Sequence, residues 1–341
     1  MNRPDPAALR RLTFALALIA AFTLALRAIA PGPPLAPDFD GNARGAEVVI
    51  EIAQGASGSE IAELLYEAGI VKSVRAFFQV AVSDTRSERI APGEHRIERG
   101  LPAAVALEQL LDADRIVNLI RIRDGARLDE VRTELRAAGF SNSEVNRALA
   151  SAKAPAGFEA KSLEGFLYPA FYTPTSGATA ADLVSQMIRR FEQSTGDLNW
   201  SSKKYSPIEL LTIASIVESE GTPDVHAKVA RVIYNRLANG MALQMDSTIH
   251  YILGTRGNIR VSIDQTKVAS RYNTYRYPGL PPGPIGSPTR SSIEATLEPA
   301  TGPWLYFVSV SPTETKFTDS YEEFLSFKAE FRRNYRAGLF K

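Results

Sequence analysis

The strongest chemical signal in the chain lies between Ser206 and Gly221. Ser206-Pro207-Ile208-Glu209 is a strong helix start, with Ser206 as N-cap, Pro207 in the first turn and Glu209 closing a capping box. The helix it predicts reads IELLTIASIVESEG and stops at Gly221. Leu210, Leu211, Ile213, Ala214, Ile216 and Val217 make it apolar nearly all round, so it should be buried. Glu218 follows Leu211, Ala214 and Ser215 at helical spacing, where an apolar side chain would be expected. The negative end of the helix dipole and apolar surroundings both disfavour a charged carboxylate there. A carboxyl that holds its proton near neutral pH is what a general acid requires. The alternative is structural: a Glu at a helix end, ion-paired with Arg231 or Arg236. Glu220 falls about 200° further round the helix, cannot form a same-face pair with Glu218, and is expected to be solvated.

The rest of the composition narrows the chemistry. The chain has 341 residues, 45% hydrophobic and 23% charged, which suggests about two globular domains. With 39 Lys and Arg against 38 Asp and Glu, there is no electrostatic reason to expect a nucleic-acid partner. The absence of cysteine excludes a disulfide scaffold, a thiolate nucleophile and any Cys-ligated metal site. The three histidines, His95, His226 and His250, are not spaced as a metal pair, so neither metal nor cofactor is expected. Neither G-x-S-x-G, G-x-G-x-x-G nor a P-loop occurs, which disfavours a serine hydrolase and a nucleotide enzyme.

Elements around Glu218 would have to position it. A helix is predicted over 223–238, capped by Thr222 and stopped by Asn239-Gly240, with Val225, Val229, Ile233 and Leu237 as its buried stripe. Asp246 then precedes a short helical pattern, as N-cap or as a substrate contact, and His250 within it suits packing. Tyr272, Tyr275 and Tyr277 lead into residues 278–288, where five of eleven are Pro and three are Gly. Sugar faces stack on flat aromatic rings, so this stiff loop could wall a cleft. It could equally be a surface connection whose prolines limit unfolded-state entropy. Strands over 305–310 and 315–318 and an amphipathic helix over 320–335 close the chain.

Upstream, Val48–Ile52 reads as a strand, and Ser57 with Glu60 as a capping box for a helix that ends at Gly69. Ser73 caps a second helix, Glu94–Glu98 returns as a strand, and a helix (Pro102–Leu111) and a strand (Ile116–Ile122) follow. This strand, helix, helix, strand order resembles a LysM-type module, a class that binds amino-sugar polymers, and also suits a plain spacer. Before it, Arg10 and Arg11 precede the uncharged run Leu12–Leu26. With Arg27 snorkelling, the apolar stretch reaches Ala30, near the ~20 residues a membrane span needs. Arg3, Arg10 and Arg11 favour a cytoplasmic N-terminus, and a cleaved signal peptide is the rival reading. Either exports the rest. Residues 31–45 read as a stiff, Pro-rich tether.

Taken in order, the motifs resemble the endolytic murein transglycosylases, the YceG-like family. They are SLEGFLYP (Ser162–Pro169), ASIVESE (Ala214–Glu220), YNRL (Tyr234–Leu237), LQMDST (Leu243–Thr248), YNTY (Tyr272–Tyr275), GLPPGPI (Gly279–Ile285) and LYFV (Leu305–Val308). The resemblance covers the chain from about residue 46 onward. It implies an α+β protein: a cytoplasmic segment 1–11, a transmembrane helix 12–30, the linker 31–45, a LysM-like domain 46–115 and a mixed α/β catalytic domain 116–341. It also implies a single-pass bacterial inner-membrane protein with its bulk in the periplasm. There it would cleave the MurNAc-β-1,4-GlcNAc bond within nascent peptidoglycan strands, leave 1,6-anhydro ends, and work beside a peptidoglycan synthase complex. The family's catalytic Glu falls on Glu218, and Gln244, Asp246, Tyr272, Asn273 and Tyr275 are the candidates for lining the saccharide cleft. The sequence departs from the family pattern at Pro169-Ala170-Phe171-Tyr172 and at Arg123-Asp124-Gly125, segments expected to lie outside the centre. The alternatives are a non-catalytic wall-binding scaffold for a synthase, or a hydrolytic muramidase in which Asp246 serves as second carboxylate.

Overall fold

The computed structural model of the protein describes residues 36–41, 45–53, 55–175, 177–256 and 261–340. The anchor expected at 12–30 lies outside the described residues, among which no helix is long and apolar enough to cross a membrane. The described residues form eleven α-helices and three two-stranded antiparallel sheets, an α+β architecture, in two compact units divided between Ile116 and Val117.

The first unit contains β1 (Glu47–Ile52), α1 (Gly58–Glu67), α2 (Val74–Ser83), β2 (Gly93–Glu98) and α3 (Ala103–Leu111). β1 and β2 pair from Glu47 opposite Glu98 to Ile52 opposite Gly93. The α1 capping box forms as its spacing implies: the Glu60 N–H donates to Ser57 Oγ (3.3 Å) and the Ser57 N–H to Glu60 Oε2 (2.6 Å). One sheet face and the helix stripes enclose Ile50, Ile52, Ile61, Leu65, Phe77, Ile97, Leu107 and Leu110. His95 is also inside this unit, its Nε2 against the Ala91 carbonyl at 2.8 Å, and burial holds its pKa below the usual histidine value.

The end of the presumed tether is not free. Ala36 packs on this core, the Pro37 carbonyl accepts the Ser73 hydroxyl (2.7 Å), and both Asp38 carboxylate oxygens lie 3.1 Å from the Ala103 N–H. Pro102, at the N-cap position of α3, offers no side-chain acceptor, so Asp38 supplies the cap from 65 residues away. Residues 36–38, expected within the linker 31–45, are therefore docked on the first unit.

In the second unit, β3 (Ile120–Ile122) pairs with β4 (Ala170–Tyr172). α4 (Leu128–Ala137), α5 (Asn142–Ser151) and α6 (Ala180–Thr195) pack with them around Val131, Leu135, Val145, Leu183 and Met187. α7 (Pro207–Glu220) starts as the sequence dictates, with the Ser206 N–H and hydroxyl both donating to Glu209 Oε2 at 2.8 and 2.7 Å. All residues from Leu210 to Val217 are buried. α8 (His226–Ala238) begins three residues later than expected, because residues 222–225 close a turn instead. α9 (Asp246–Leu253), α10 (Arg290–Leu297), β5 (Tyr306–Ser311), β6 (Glu314–Thr318) and α11 (Tyr321–Arg336) complete the unit. The YNRL motif fastens the approach to β5: Asn235 Nδ2 donates to the Gly302 and Trp304 carbonyls at 3.0 and 2.9 Å, and Arg236 Nε to the Leu305 carbonyl at 2.7 Å.

Asp38→Ala should cost the α3 N-terminus about 1 kcal/mol, the usual worth of a cap. Amide hydrogen exchange at Ala103 and the following turn should speed up about fivefold, while α7 is unaffected; unchanged exchange at Ala103 would show that the tether merely rests there.

Candidate active site

α7 is apolar on nearly every side, so its few polar side chains must find partners inside the protein. Two of them, three residues apart on one stripe, hold the Pro-rich loop. Ser215 Oγ accepts the Ile285 N–H (3.0 Å) and donates to the Thr212 carbonyl (2.7 Å). One turn later, Glu218 Oε2 accepts both the Thr289 N–H (2.9 Å) and the Thr289 hydroxyl (2.6 Å). Thr289 is the N-cap residue of α10, so a carboxylate oxygen of α7 meets the positive end of another helix dipole. Glu218 is half-buried, and its Oε1 accepts no hydrogen bond among the described residues. Neither arginine considered as an ion-pair partner is engaged with it: Arg231 bonds the Ala300 carbonyl, and Arg236 the Leu243 and Leu305 carbonyls.

Residues Gly283–Pro288 are buried, so this loop is an internal wall and not a surface connection. Close backbone approach explains its glycines. A Cβ on Gly286 would stand 2.5 Å from the Gly125 carbonyl oxygen. At that point the Gly125 N–H donates to the Ser287 carbonyl (2.9 Å) and the Ser287 N–H to the Ala126 carbonyl (2.8 Å). Opposite, Gly165 of the SLEGFLYP motif adopts φ +92°, and a Cβ there would meet Pro284 at 2.9 Å.

The segment 123–125, expected outside the centre, is therefore beside Glu218. A Cβ built on Gly125 lies 3.5 Å from Glu218 Cγ. Asp124 is exposed as a residue, but partial desolvation of its carboxyl, then the charge of Glu218, pushes it above its ordinary value. Arg256 secures this loop, donating to the Gly125 carbonyl (2.6 Å) and pairing with Glu130 (2.8 Å).

Glu220 is not solvated either. Although the residue keeps some exposed surface, its carboxyl is packed against protein and Oε1 accepts the Ser247 N–H (3.1 Å) at the start of α9. Burial pushes it up to about 7, with the Ser247 contact opposing and Asp246 reinforcing the shift. Asp246 is the first residue of α9 and receives a short hydrogen bond from the Tyr275 hydroxyl. Gln244 is exposed, at φ +49°, with its N–H on the Thr274 carbonyl at 3.1 Å. Gln244, Asp246 and Tyr275 thus gather on the Glu220 side of the α7 terminus. Asn273 is fully buried; its amide donates to the Thr266 and Val268 carbonyls at 2.9 and 2.7 Å, shaping its own loop. Tyr272 turns to Tyr251, ring centres 4.9 Å apart.

Glu164 of SLEGFLYP sits behind that aromatic pair. It is buried, with Oε2 accepting the Tyr251 hydroxyl (3.1 Å) and Oε1 the Leu128 N–H (3.0 Å) at the start of α4. Burial pushes its carboxyl up to about 7, against both hydrogen bonds. Sequence reasoning did not single out Thr289, Asp124 or Glu164. A Thr before RSSIEATL is a readable helix start, whereas the proximity of Asp124 and Glu164 to the centre depends on contacts across the chain.

Glu164 and Glu220 carry a pH dependence of stability. Burial in the folded chain pushes both up from 4.5 to about 7, so between those limits the folded chain binds more protons than the unfolded one. Stability contributed by these groups therefore falls as pH rises from about 4.5 to about 7. Glu164→Gln and Glu220→Gln should each flatten the decline of the urea midpoint over that interval; slopes equal to wild type in both variants would exclude these carboxyls as its source.

The profile of the YceG-like family matches residues 50–330. The endolytic murein transglycosylase of Bacillus subtilis (strain 168) is 30% identical over 306 residues, covering 81% of this chain and 82% of that protein. The endolytic murein transglycosylase of Streptococcus pneumoniae serotype 2 (strain D39) is 29% identical over 298 residues, covering 77% of this chain, which spans 54% of that protein's length. The crystal structure of a YceG-like protein from Listeria monocytogenes matches with a TM-score of 0.56 at 25% identity, covering 83% of this chain and 99% of that one. With the profile spanning most of its length, the chain belongs to the YceG-like family.

Proposed function

We propose that the protein is a lytic transglycosylase, a lyase that cleaves the MurNAc-β-1,4-GlcNAc bond within peptidoglycan strands and leaves 1,6-anhydroMurNAc ends. The observation that carries this reading is the state of Glu218. One carboxylate oxygen is fixed by two hydrogen bonds from Thr289, while the other accepts no hydrogen bond among the described residues. That is how a group that exchanges protons with a substrate must be held: immobile on one side and available on the other. The similarity to proteins named endolytic murein transglycosylases supports the substrate class.

In the anhydro-forming route, Glu218 gives its proton to the GlcNAc O4 as the C1–O4 bond breaks. The MurNAc O6 then bonds to C1, and its proton passes to the Glu218 carboxylate. Most hydrolytic glycosidases use a second carboxyl to handle water or form a covalent bond. Here the substrate supplies its own nucleophile, so one residue serves both proton transfers. Residues 12–30 would anchor the enzyme in the inner membrane with residues 46–341 in the periplasm. The unit of residues 46–115 would act as a LysM-like module on glycan, and strand termination would occur beside a peptidoglycan synthase.

Full-length protein with purified peptidoglycan should release anhydro-ended fragments, read by mass spectrometry. Glu218→Gln should abolish release with an unchanged melting temperature; normal turnover by this variant would remove Glu218 from the mechanism, and reducing ends from wild type would indicate hydrolysis. Intact mass of membrane-extracted protein should include Met1 or Asn2, whereas a start near Pro31 would mean cleavage of the N-terminal segment.

A further inference from the structure

Around the end of α7 most carboxyls are already occupied. Glu130 binds Arg123 and Arg256, Glu164 binds Tyr251 and Leu128, Glu220 binds Ser247, and Asp246 binds Tyr275. Asp124 is the exception. Its carboxyl accepts no hydrogen bond and forms no ion pair among the described residues; the neighbouring Arg123 instead bonds Glu130 and the Asp124 carbonyl.

The backbone carrying this free carboxyl is unusually well fixed. Gly125 and Ala126 exchange two hydrogen bonds with Ser287, Arg256 holds the Gly125 carbonyl, and Gly125 packs against the Glu218 side chain. The Glu130 carboxylate adds a further tie, accepting the Arg127 N–H at 2.7 Å. Asp124 itself stays exposed. A rigidly supported, exposed carboxyl without a partner among the described residues, next to a proton-transfer residue, is open to contact with a substrate and is already fixed in place.

We propose that Asp124 is a second carboxyl of the reaction centre, a substrate-contacting anion that stabilises the positive charge developing at C1 of the cleaved sugar. This rests on the reaction proposed above. Asp124 forms no covalent bond and takes no proton. C1–O4 breaks first, with the Glu218 proton leaving on O4; O6 then bonds to C1 and its proton returns to Glu218, and nothing is oxidised or reduced. Between the two bonding events C1 and the ring oxygen share a cationic charge, and a fixed anion beside them lowers the energy of that state more than that of the bound ground state.

The test compares Asp124→Asn and Asp124→Glu in the full-length protein. With peptidoglycan, Asp124→Asn should lose about 10²-fold in kcat with little change in KM, while Asp124→Glu recovers part of the loss, all with anhydro products. Independently of turnover, binding of a protonated iminosugar, whose cation imitates the charged ring, should weaken about tenfold in Asp124→Asn, and binding of a neutral N-acetylglucosamine oligomer should not. Wild-type kcat in Asp124→Asn, a rise in KM alone, or equal weakening of both probes overturns the proposal. Reducing ends from wild type that vanish in Asp124→Asn would make it the base or nucleophile of a hydrolase and also overturn it. Should wild type release no product, the reaction reading fails while the two probes still decide whether Asp124 faces a cationic ring; wild type that binds neither probe removes both proposals.

Discussion

The structure around the candidate centre depends on the satisfaction of the polar groups of a buried helix. α7 is enclosed by apolar neighbours from Leu210 to Val217, and a polar atom on it costs stability unless it is bonded. Ser215 and Glu218 meet that requirement by binding the Pro-rich loop at Ile285 and, directly after it, the α10 cap Thr289. The same two contacts that keep the helix buried therefore fix the loop. They also set the orientation of the Glu218 carboxyl.

Loop rigidity then propagates through close backbone contacts. Gly286 lets the Pro-rich loop pair with residues 125–126, and Gly165 lets SLEGFLYP approach Pro284. Side chains could not have made these contacts without moving one of the chains apart. Prolines at 281, 282, 284 and 288 reduce the number of conformations the loop can adopt before it docks. The motifs scattered along the sequence are thereby neighbours in space: GLPPGPI touches the helix of ASIVESE, SLEGFLYP touches GLPPGPI, and LQMDST meets YNTY through Asp246 and Tyr275.

The carboxyls near this junction differ by environment. Glu164 and Glu220 are enclosed, and burial raises both to about 7. Each accepts a backbone N–H at the start of a helix, α4 and α9 respectively, so each couples the protonation of a carboxyl to the seating of a helix end. Glu218 is held by the start of a third helix, α10, through one oxygen, and the other accepts no hydrogen bond among the described residues. Three helix N-termini thus face three glutamates, and Glu218 is the one beside Asp124, whose carboxyl has no hydrogen-bond or ion-pair partner among the described residues.

Sequence alone determined the local elements, because local signals cause them. The capping boxes at Ser57–Glu60 and Ser206–Glu209, the apolar stripe of α7 and the strand pair of the first unit follow from spacing over a few residues. It also marked Glu218, since a carboxyl on an apolar stripe is anomalous wherever the stripe is buried. What it could not determine was which partners distant segments would provide. Asp38 capping α3, Thr289 holding Glu218, and residues 123–125 lying beside the centre are contacts across 65 or more positions in the chain. The same holds for Glu220 and Asn273, one expected in solvent and the other in the cleft. Helical periodicity gives the direction of a side chain from its own axis, but whether that direction leads to water, to a neighbouring helix or to a loop is decided only by tertiary packing.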